Sequence, residues 1–435
     1  MIVHVIGAGL AGCEAIYQLT KRGIPVVLHE MRPCKSDAAH RTPYFAELVC
    51  SNSLRAANIE NAVGLLKEEM RRLGSLIINT ADRTRIPAGG ALAVDRTSFS
   101  LVITEEIKNN PLVSIVREEV TDITALEGIV IVATGPLTSE ALAANLQNIL
   151  QEKYFSFFDA IAPVVTAESL DFSKVYRASR YDKGGADYLN CPFYTKEEYI
   201  KFWEELCKAQ TVPVKEFEHN VFEACMPIEE LAYRGEDTMR FGPLKPVGLV
   251  DPRVGSPAYA VVQLRQDNAT ASLYNIVGFQ THLKWPEQRR VFGMIPGLEK
   301  ADFVRYGVMH RNSYINSPKL LDKRFCLHKN KNYYFAGQLT GVEGYVESAA
   351  SGLMTGIHVA RAMLNQAPVE FPKETALGSL ANYISNTSIE SFQPMNINFG
   401  IIPPLAQRPK KKKEKNILLA TRALEYLDLF KKALS

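Results

Sequence analysis

The sequence predicts an α/β fold: a Rossmann-like nucleotide-binding domain whose chain is interrupted by an inserted mixed α+β domain. Three observations predict it. Residues 1–30 read as strand, glycine loop, helix and strand. A second apolar strand, Gly128-Ile-Val-Ile-Val-Ala-Thr-Gly135, ends in a small-residue turn. From Tyr333 the strand–glycine–helix pattern returns, after a long stretch from about Phe155 that has no βαβ rhythm. A chain that leaves a nucleotide fold and re-enters it this late makes that domain discontinuous. The expected boundaries are 1–154, 155–310 and 311–435.

Taken in order, Ile2 to Ile6 is a β-branched apolar run, as a strand buried on both faces requires. Gly7-Ala8-Gly9-Leu10-Ala11-Gly12 follows, and Glu14 to Arg22 continues with Ile16 and Leu19 at helical spacing. Gly7 permits a tight turn, Gly9 lets the backbone approach a pyrophosphate, and Gly12 lets helix and strand pack closely. The helix start then offers free N–H groups and a positive dipole end to phosphate. Val26 to Leu28 is the second strand, and Glu30 beyond it stands where an acid accepts from a ribose 2′-hydroxyl. A lone GxGxxG is weak evidence. Flanked by strand, helix and acid, Gly7, Ala8, Gly9, Leu10, Ala11, Gly12 and Glu30 become candidate dinucleotide ligands.

Met31 to Tyr44 is irregular, and FAELVCSNSLR then sets Cys50 before the polar Ser51-Asn52-Ser53. Leu65 to Leu76 predicts an amphipathic helix, apolar at Leu65, Leu66, Met70 and Leu73, with Lys67, Arg71 and Arg72 on or near the other face. Those cations form either a solvated face or a phosphate-tracking surface. IPAGGALAVDR (86–96) is a glycine turn leading to a strand and then a helix containing Phe99 to Ile107, while Val113–Val116 and Val120–Ile123 read as a strand pair. The Ala-Thr-Gly ending at Gly135 is a pattern of two-dinucleotide-binding flavoproteins, where that strand end packs near the nucleotide.

The 155–310 region is aromatic-rich and carries Cys225 before Met226-Pro227; it is expected to cover a flavin and hold substrate. In the returning unit, Phe335-Ala336-Gly337 leads through Gly341 and Gly344 into a helix with small residues on one face, its N-terminus facing the flavin end of the cofactor. Gly337 and Gly344 therefore join the cofactor candidates. Arg408 and Lys410 to Lys413 are expected on a surface loop before a helix from Ile417 to Ala433. That run is either a solvated loop or a contact for RNA phosphates.

A length of 435 residues has room for two domains, or one with an insertion, and no apolar run is long enough to span a bilayer. The chain enters a strand directly, without the basic start of a secretory signal, so a cytoplasmic location is expected. Seven cysteines (13, 34, 50, 191, 207, 225 and 326) show no CxxC and no metal-ligand spacing, which reads as reduced thiols and no metal. A net charge of +3 announces no nucleic-acid partner by itself.

FAELVCSNSLR, NAVGLLKEEMRRL, PAGGALAVDR, YAVVQLRQDN, VGFQTHLKW, VRYGVMHRNSYINSPKLL, FAGQLTGVEGYVESAASG and FQPMNINFG together resemble the folate- and FAD-dependent tRNA (uracil-5-)-methyltransferase family. The resemblance covers nearly the whole chain. It implies a cytosolic enzyme that makes 5-methyluridine, usually in the tRNA T-loop, with 5,10-methylenetetrahydrofolate as one-carbon donor, FAD on the Gly7–Gly12 loop, and NADPH or NADH as electron source. Some relatives act instead on large-subunit ribosomal RNA. No membrane and no obligate protein partner are implied. One departure is AHRTPYF, where Arg41 stands in place of an expected second histidine, in a segment where RNA could bind.

The same resemblance makes Cys225 in EACMPIE the nucleophile and Cys50 in ELVCSNS the general base. Carbon 5 of uracil is a poor nucleophile until a thiolate adds at carbon 6 and breaks the ring conjugation, and cysteine is partly ionised near neutral pH. On residue type alone, either cysteine is more often a small buried apolar group. His282 and Glu343 are candidates for the folate pteridine, the first by stacking and the second through its amino-pyrimidine edge; His282 is otherwise a structural histidine. Arg96 and Arg265 are candidates for a phosphate or the folate glutamate. Two rivals remain: the longer flavin-dependent enzymes that install carboxymethylaminomethyl groups on wobble uridines, which lack ELVCSNSLR, and a flavin-binding RNA-interaction protein without turnover.

Overall fold

The computed structural model describes residues 2–37, 39–151, 155–160, 162–212, 226–307, 309–389, 392–407 and 409–434. β1 (Val3–Ile6) runs through the glycine loop into α1 (Leu10–Thr20), and β2 (Val26–His29) returns alongside β1 in parallel. All four residues of β1 are buried, which is why the run carries no polar alternation. A long helix, α2 (Ala62–Leu73), precedes β3 (Val113–Val116) and β4 (Ile129–Val132). β5 (Tyr333–Phe335), reached only after the inserted segment, completes an all-parallel sheet in the order β5-β4-β1-β2-β3.

The inserted segment builds its own sheet of six antiparallel strands around Ala260–Gln266, and a separate buried cluster between Val165 and Phe303 packs it. An antiparallel pair, Phe155–Ala160 with Met309–Tyr314, links the two halves.

α3 (Tyr345–Met363) lies directly on α1, and small residues set that distance. A Cβ on Gly352 would stand 2.1 Å from the Ala11 carbonyl oxygen, and one on Gly356 would stand 2.8 Å from that of Ala15. Buried glutamates tie other helices down. Glu14 accepts from the Leu76 and Ile77 amides, and Glu69 accepts from those of Ala376 and Leu377, each carboxylate facing a helix N-terminus.

Four local expectations are corrected. The helix predicted over 65–76 is α2, which stops at Gly74 in the left-handed region (φ +74°); a second helix, Leu76–Arg83, starts on the Ser75 cap. Lys67 is not on a polar face but wholly buried, and Arg71 and Arg72 are ion-paired with Asp82, Glu68 and Asp428. Residues 120–123 form no strand partner for β3. Asp122 accepts from the Thr124 amide and starts a 3-10 turn at Ile123–Ala125, so β3 pairs with β2 instead. The last helix, α4 (Lys412–Leu434), begins inside the lysine run, because Lys and Glu are good helix formers.

Replacing Gly352 by Ala is expected to destabilise the protein by about 1–3 kcal/mol through forced separation of α1 and α3. A denaturant midpoint unchanged in that variant would show that the helices part without cost.

Candidate active site

The crevice opens at the carboxyl ends of β1 and β4. Gly7 adopts φ +99°, and a Cβ there would lie 2.7 Å from the Ala133 carbonyl oxygen; one on Gly12 would lie 1.9 Å from that of Gly7. Gly9 precedes α1 without a side-chain cap, so the amides of the first turn, which Leu10, Ala11 and Gly12 carry, are left to a ligand. The Ala8 amide donates to Glu30 Oε2 at 2.8 Å, while Arg32 donates to Oε1 from its backbone N and Nε, each at 2.9 Å. Burial alone would raise the Glu30 pKa, but Arg32 holds it below the usual carboxylate range. Glu30 thus stays an acceptor and lines the crevice with Gly7, Ala8, Gly9, Thr134 and Thr138. Loop, helix start and acid fit the pyrophosphate and ribose of a dinucleotide.

Gly337 and Gly344 both stand in the left-handed region, at φ +82° and +105°. The Gly337 amide donates to Ser351 Oγ at 2.7 Å, which docks the turn onto α3. Gly344 leads into Tyr345, the first residue of α3.

Tyr345 organises the cysteine loop. Its phenol oxygen lies 2.8 Å from Cys50 Sγ and accepts the Cys50 amide at 2.8 Å and the Ser51 amide at 3.3 Å. With two N–H groups on its lone pairs, its own proton is directed to the sulfur. Burial, then the sulfur of Cys50, pushes the phenol well above its ordinary pKa, so it stays a donor.

Three arginines from distant segments hold the same loop. Arg96 donates to the Leu48 carbonyl and pairs with Asp267 at 2.8 Å; Arg305 donates to the Val49 carbonyl at 2.6 Å; Arg265 reaches Asn52 Oδ1 at 3.0 Å and Ser51 Oγ at 2.7 Å. Arg96 and Arg265 are near enough to Cys50 to interact with it electrostatically. Arg96 and Arg265 are therefore engaged by the protein itself, where the sequence suggested a phosphate or glutamate ligand.

Beneath this loop lies a charged cluster. Glu347 is fully buried; one oxygen accepts from Arg55 and from the Ile397 amide, and the other has no partner among the described residues. Lys67 Nζ donates to the Leu54 carbonyl at 2.8 Å, and burial, with Arg55 nearby, pushes its pKa down to about 7.

The folate candidates stand apart from each other in their bonding. Glu343 is buried, and both its oxygens accept from Gln338 Nε2, at 2.8 and 2.7 Å. His282 is buried in the inserted segment, with Nδ1 2.8 Å from Glu229 Oε1 and its amide donating to the same carboxylate at 2.7 Å. Burial would lower its pKa, but Glu229 raises it above the ordinary value. Cys225 lies outside the described residues. Tyr345, Arg305 and the buried Lys67–Glu347 cluster were not singled out from sequence. The clue for Tyr345 was its place just after Gly344, at a helix start.

Strand order, glycine contacts and the returning strand–helix unit define a two-dinucleotide-binding flavoprotein fold. A solved structure of Aquifex aeolicus GidA superposes with a TM-score of 0.70 at 17% identity, over 98% of this chain and 76% of that one. The family model described as glucose inhibited division protein A matches residues 2–367. A protein of Acetivibrio thermocellus is 59% identical over 98% of this chain and 97% of its own length, and one of Pelotomaculum thermopropionicum is 60% identical over 99% of each; both are named methylenetetrahydrofolate–tRNA-(uracil-5-)-methyltransferase TrmFO. The chain belongs to the folate- and FAD-dependent tRNA (uracil-5-)-methyltransferase family, within the glucose inhibited division protein A group.

Tyr345→Phe leaves two loop amides without an acceptor, for an expected loss of about 1–3 kcal/mol. An unchanged unfolding midpoint would mean that water replaces the phenol. For Lys67 the folded pKa of about 7 lies below the free value of 10.5, so the unfolded chain binds more protons between them. Stability relative to Lys67→Met should rise with pH across that window. A difference that stays flat from about pH 7 to 9.5, followed by urea unfolding, would place the amine in water.

Proposed function

We propose that the protein methylates carbon 5 of a uridine in RNA, taking the one-carbon unit from 5,10-methylenetetrahydrofolate and electrons from NADPH or NADH through FAD. The RNA is tRNA, at its T-loop uridine. The observation that carries this reading is the 58–60% identity, over at least 97% of this chain, to proteins bearing that name. The location is the cytoplasm; among the described residues no helix is long and apolar enough to cross a membrane.

FAD would lie along the Gly7–Gly12 loop with its ribose at Glu30 and its far end toward Gly337 and Gly344. Bound and reduced, it supplies the hydride that converts a methylene into a methyl group. The rest falls to side chains. The Cys225 thiolate adds to carbon 6 of uracil, which makes carbon 5 a nucleophile for the methylene carbon. Cys50 takes the carbon 5 proton onto its sulfur as the freed electron pair expels the donor nitrogen, leaving an exocyclic methylene; once that methylene has accepted the hydride, the resulting enolate expels the Cys225 thiolate and restores the carbon 5–carbon 6 double bond. Tyr345 and the three arginines hold the Cys50 loop in place for that transfer. His282 and Glu343 hold the pteridine, and the 155–310 segment closes over the cofactor.

The test incubates the flavin-loaded protein with labelled methylenetetrahydrofolate, NADPH and, separately, unmodified tRNA or large-subunit rRNA. Labelled 5-methyluridine is expected in tRNA, absent with Cys225→Ala and reduced by about 10²–10⁴ with Cys50→Ala. Label only in rRNA would change the substrate. No label in either would overturn the reading.

A further inference from the structure

Two sequence features play no part in that chemistry: the lysine run and the NINFG segment. The fold brings them together. A cavity of about 690 Å³ is walled by Arg55, by Asn398 and its neighbours in that segment, by the start of α2, and by Lys410, Lys412 and Lys415. Lys410 and Lys412 are exposed at its mouth, and Lys415 is half-buried. Among the described residues Glu60 is the one acid on this wall, and it is paired with Lys413 at 3.0 Å. The Asn61 side chain makes no cap on α2, and Ala62 and Val63, the first residues of that helix, line the cavity at its positive end.

We propose that this cavity binds a backbone phosphate of the RNA substrate and so sets the strand's register at the cysteine site. This rests on the reading of the protein as an RNA methyltransferase. Three lysines, the positive end of α2 and an acid already paired with Lys413 suit an anion, with Arg55, itself paired with Glu347, beside them. Exposed lysines at an open mouth suit a polyanion arriving along the surface rather than a ligand enclosed within. Arg55 supplies the connection: it lines the cavity and pairs with Glu347, two residues along α3 from Tyr345, whose phenol holds Cys50. An anchored phosphate is thereby fixed relative to the sulfur through one rigid helix.

The test compares the full-length, flavin-loaded protein with the Lys410→Ala/Lys412→Ala/Lys415→Ala variant. Unmodified tRNA binding is measured at several KCl concentrations, and circular dichroism melting checks the fold. A loss of affinity of about tenfold or more is expected at low salt, with the slope of log K against log[KCl] shallower by about two to three. The corresponding triple-arginine variant should restore both. Affinity and slope equal to those of the unsubstituted protein would overturn the proposal. So would a variant that binds tRNA normally but shows a raised KM for polyglutamylated methylenetetrahydrofolate, which would give the cavity to the folate tail. If the unsubstituted protein binds no RNA at all, the functional reading itself fails.

Discussion

The arrangement depends on how closely α3 approaches α1. Glycines at 352 and 356 let one helix rest on the backbone of the other, where any side chain would force them apart. That contact fixes where α3 begins. Its first residue, Tyr345, reaches the cysteine loop, while α1 starts at the nucleotide crevice. A single packing distance thus relates the phosphate-facing loop to the sulfur. The left-handed glycines at 337 and 344 serve the same end, turning the chain sharply enough to enter α3 at that spot.

Around Cys50 the chain concentrates guanidinium groups that burial alone would disfavour. Arg265 shows the cost: burial lowers its pKa, and it is retained because Asn52 and Ser51 satisfy its donors. Two of the three arginines, Arg265 and Arg305, come from the inserted segment, whereas the loop belongs to the nucleotide half. The guanidinium groups that hold the cysteine loop also staple the halves together. Removing one partner from such a network leaves buried charge uncompensated, so the site is stiff by construction.

Much of this was legible in the sequence where the signal is local. The parallel strands announce themselves as apolar runs, and the glycine loop by its spacing. What sequence concealed was tertiary. Lys67 sits at helical spacing that reads as polar, yet folding buries it against Leu54, beside Glu347, because α2 has more than one covered face. The Val120–Ile123 run has strand composition, but one Asp122 hydrogen bond turns the chain away. Arg96 and Arg265 read from sequence as anion ligands, and the fold adds Asp267 and Asn52 as protein partners that the sequence does not reveal. Packing, which residue type does not show, decides which groups the protein itself engages.

The late return of the chain has a consequence for synthesis on the ribosome. β4 gains its outer neighbour β5, and α1 its cover α3, only after the whole inserted segment has been made. Until then a nascent chain carries an unpaired strand edge at β4 and an uncovered apolar stripe on α1, both of them sticky to other chains. The inserted segment, with its own core, can settle first. The nucleotide half must wait for its last strand and helix, so a truncated product that already contains the glycine loop still lacks the surface that makes the loop a site.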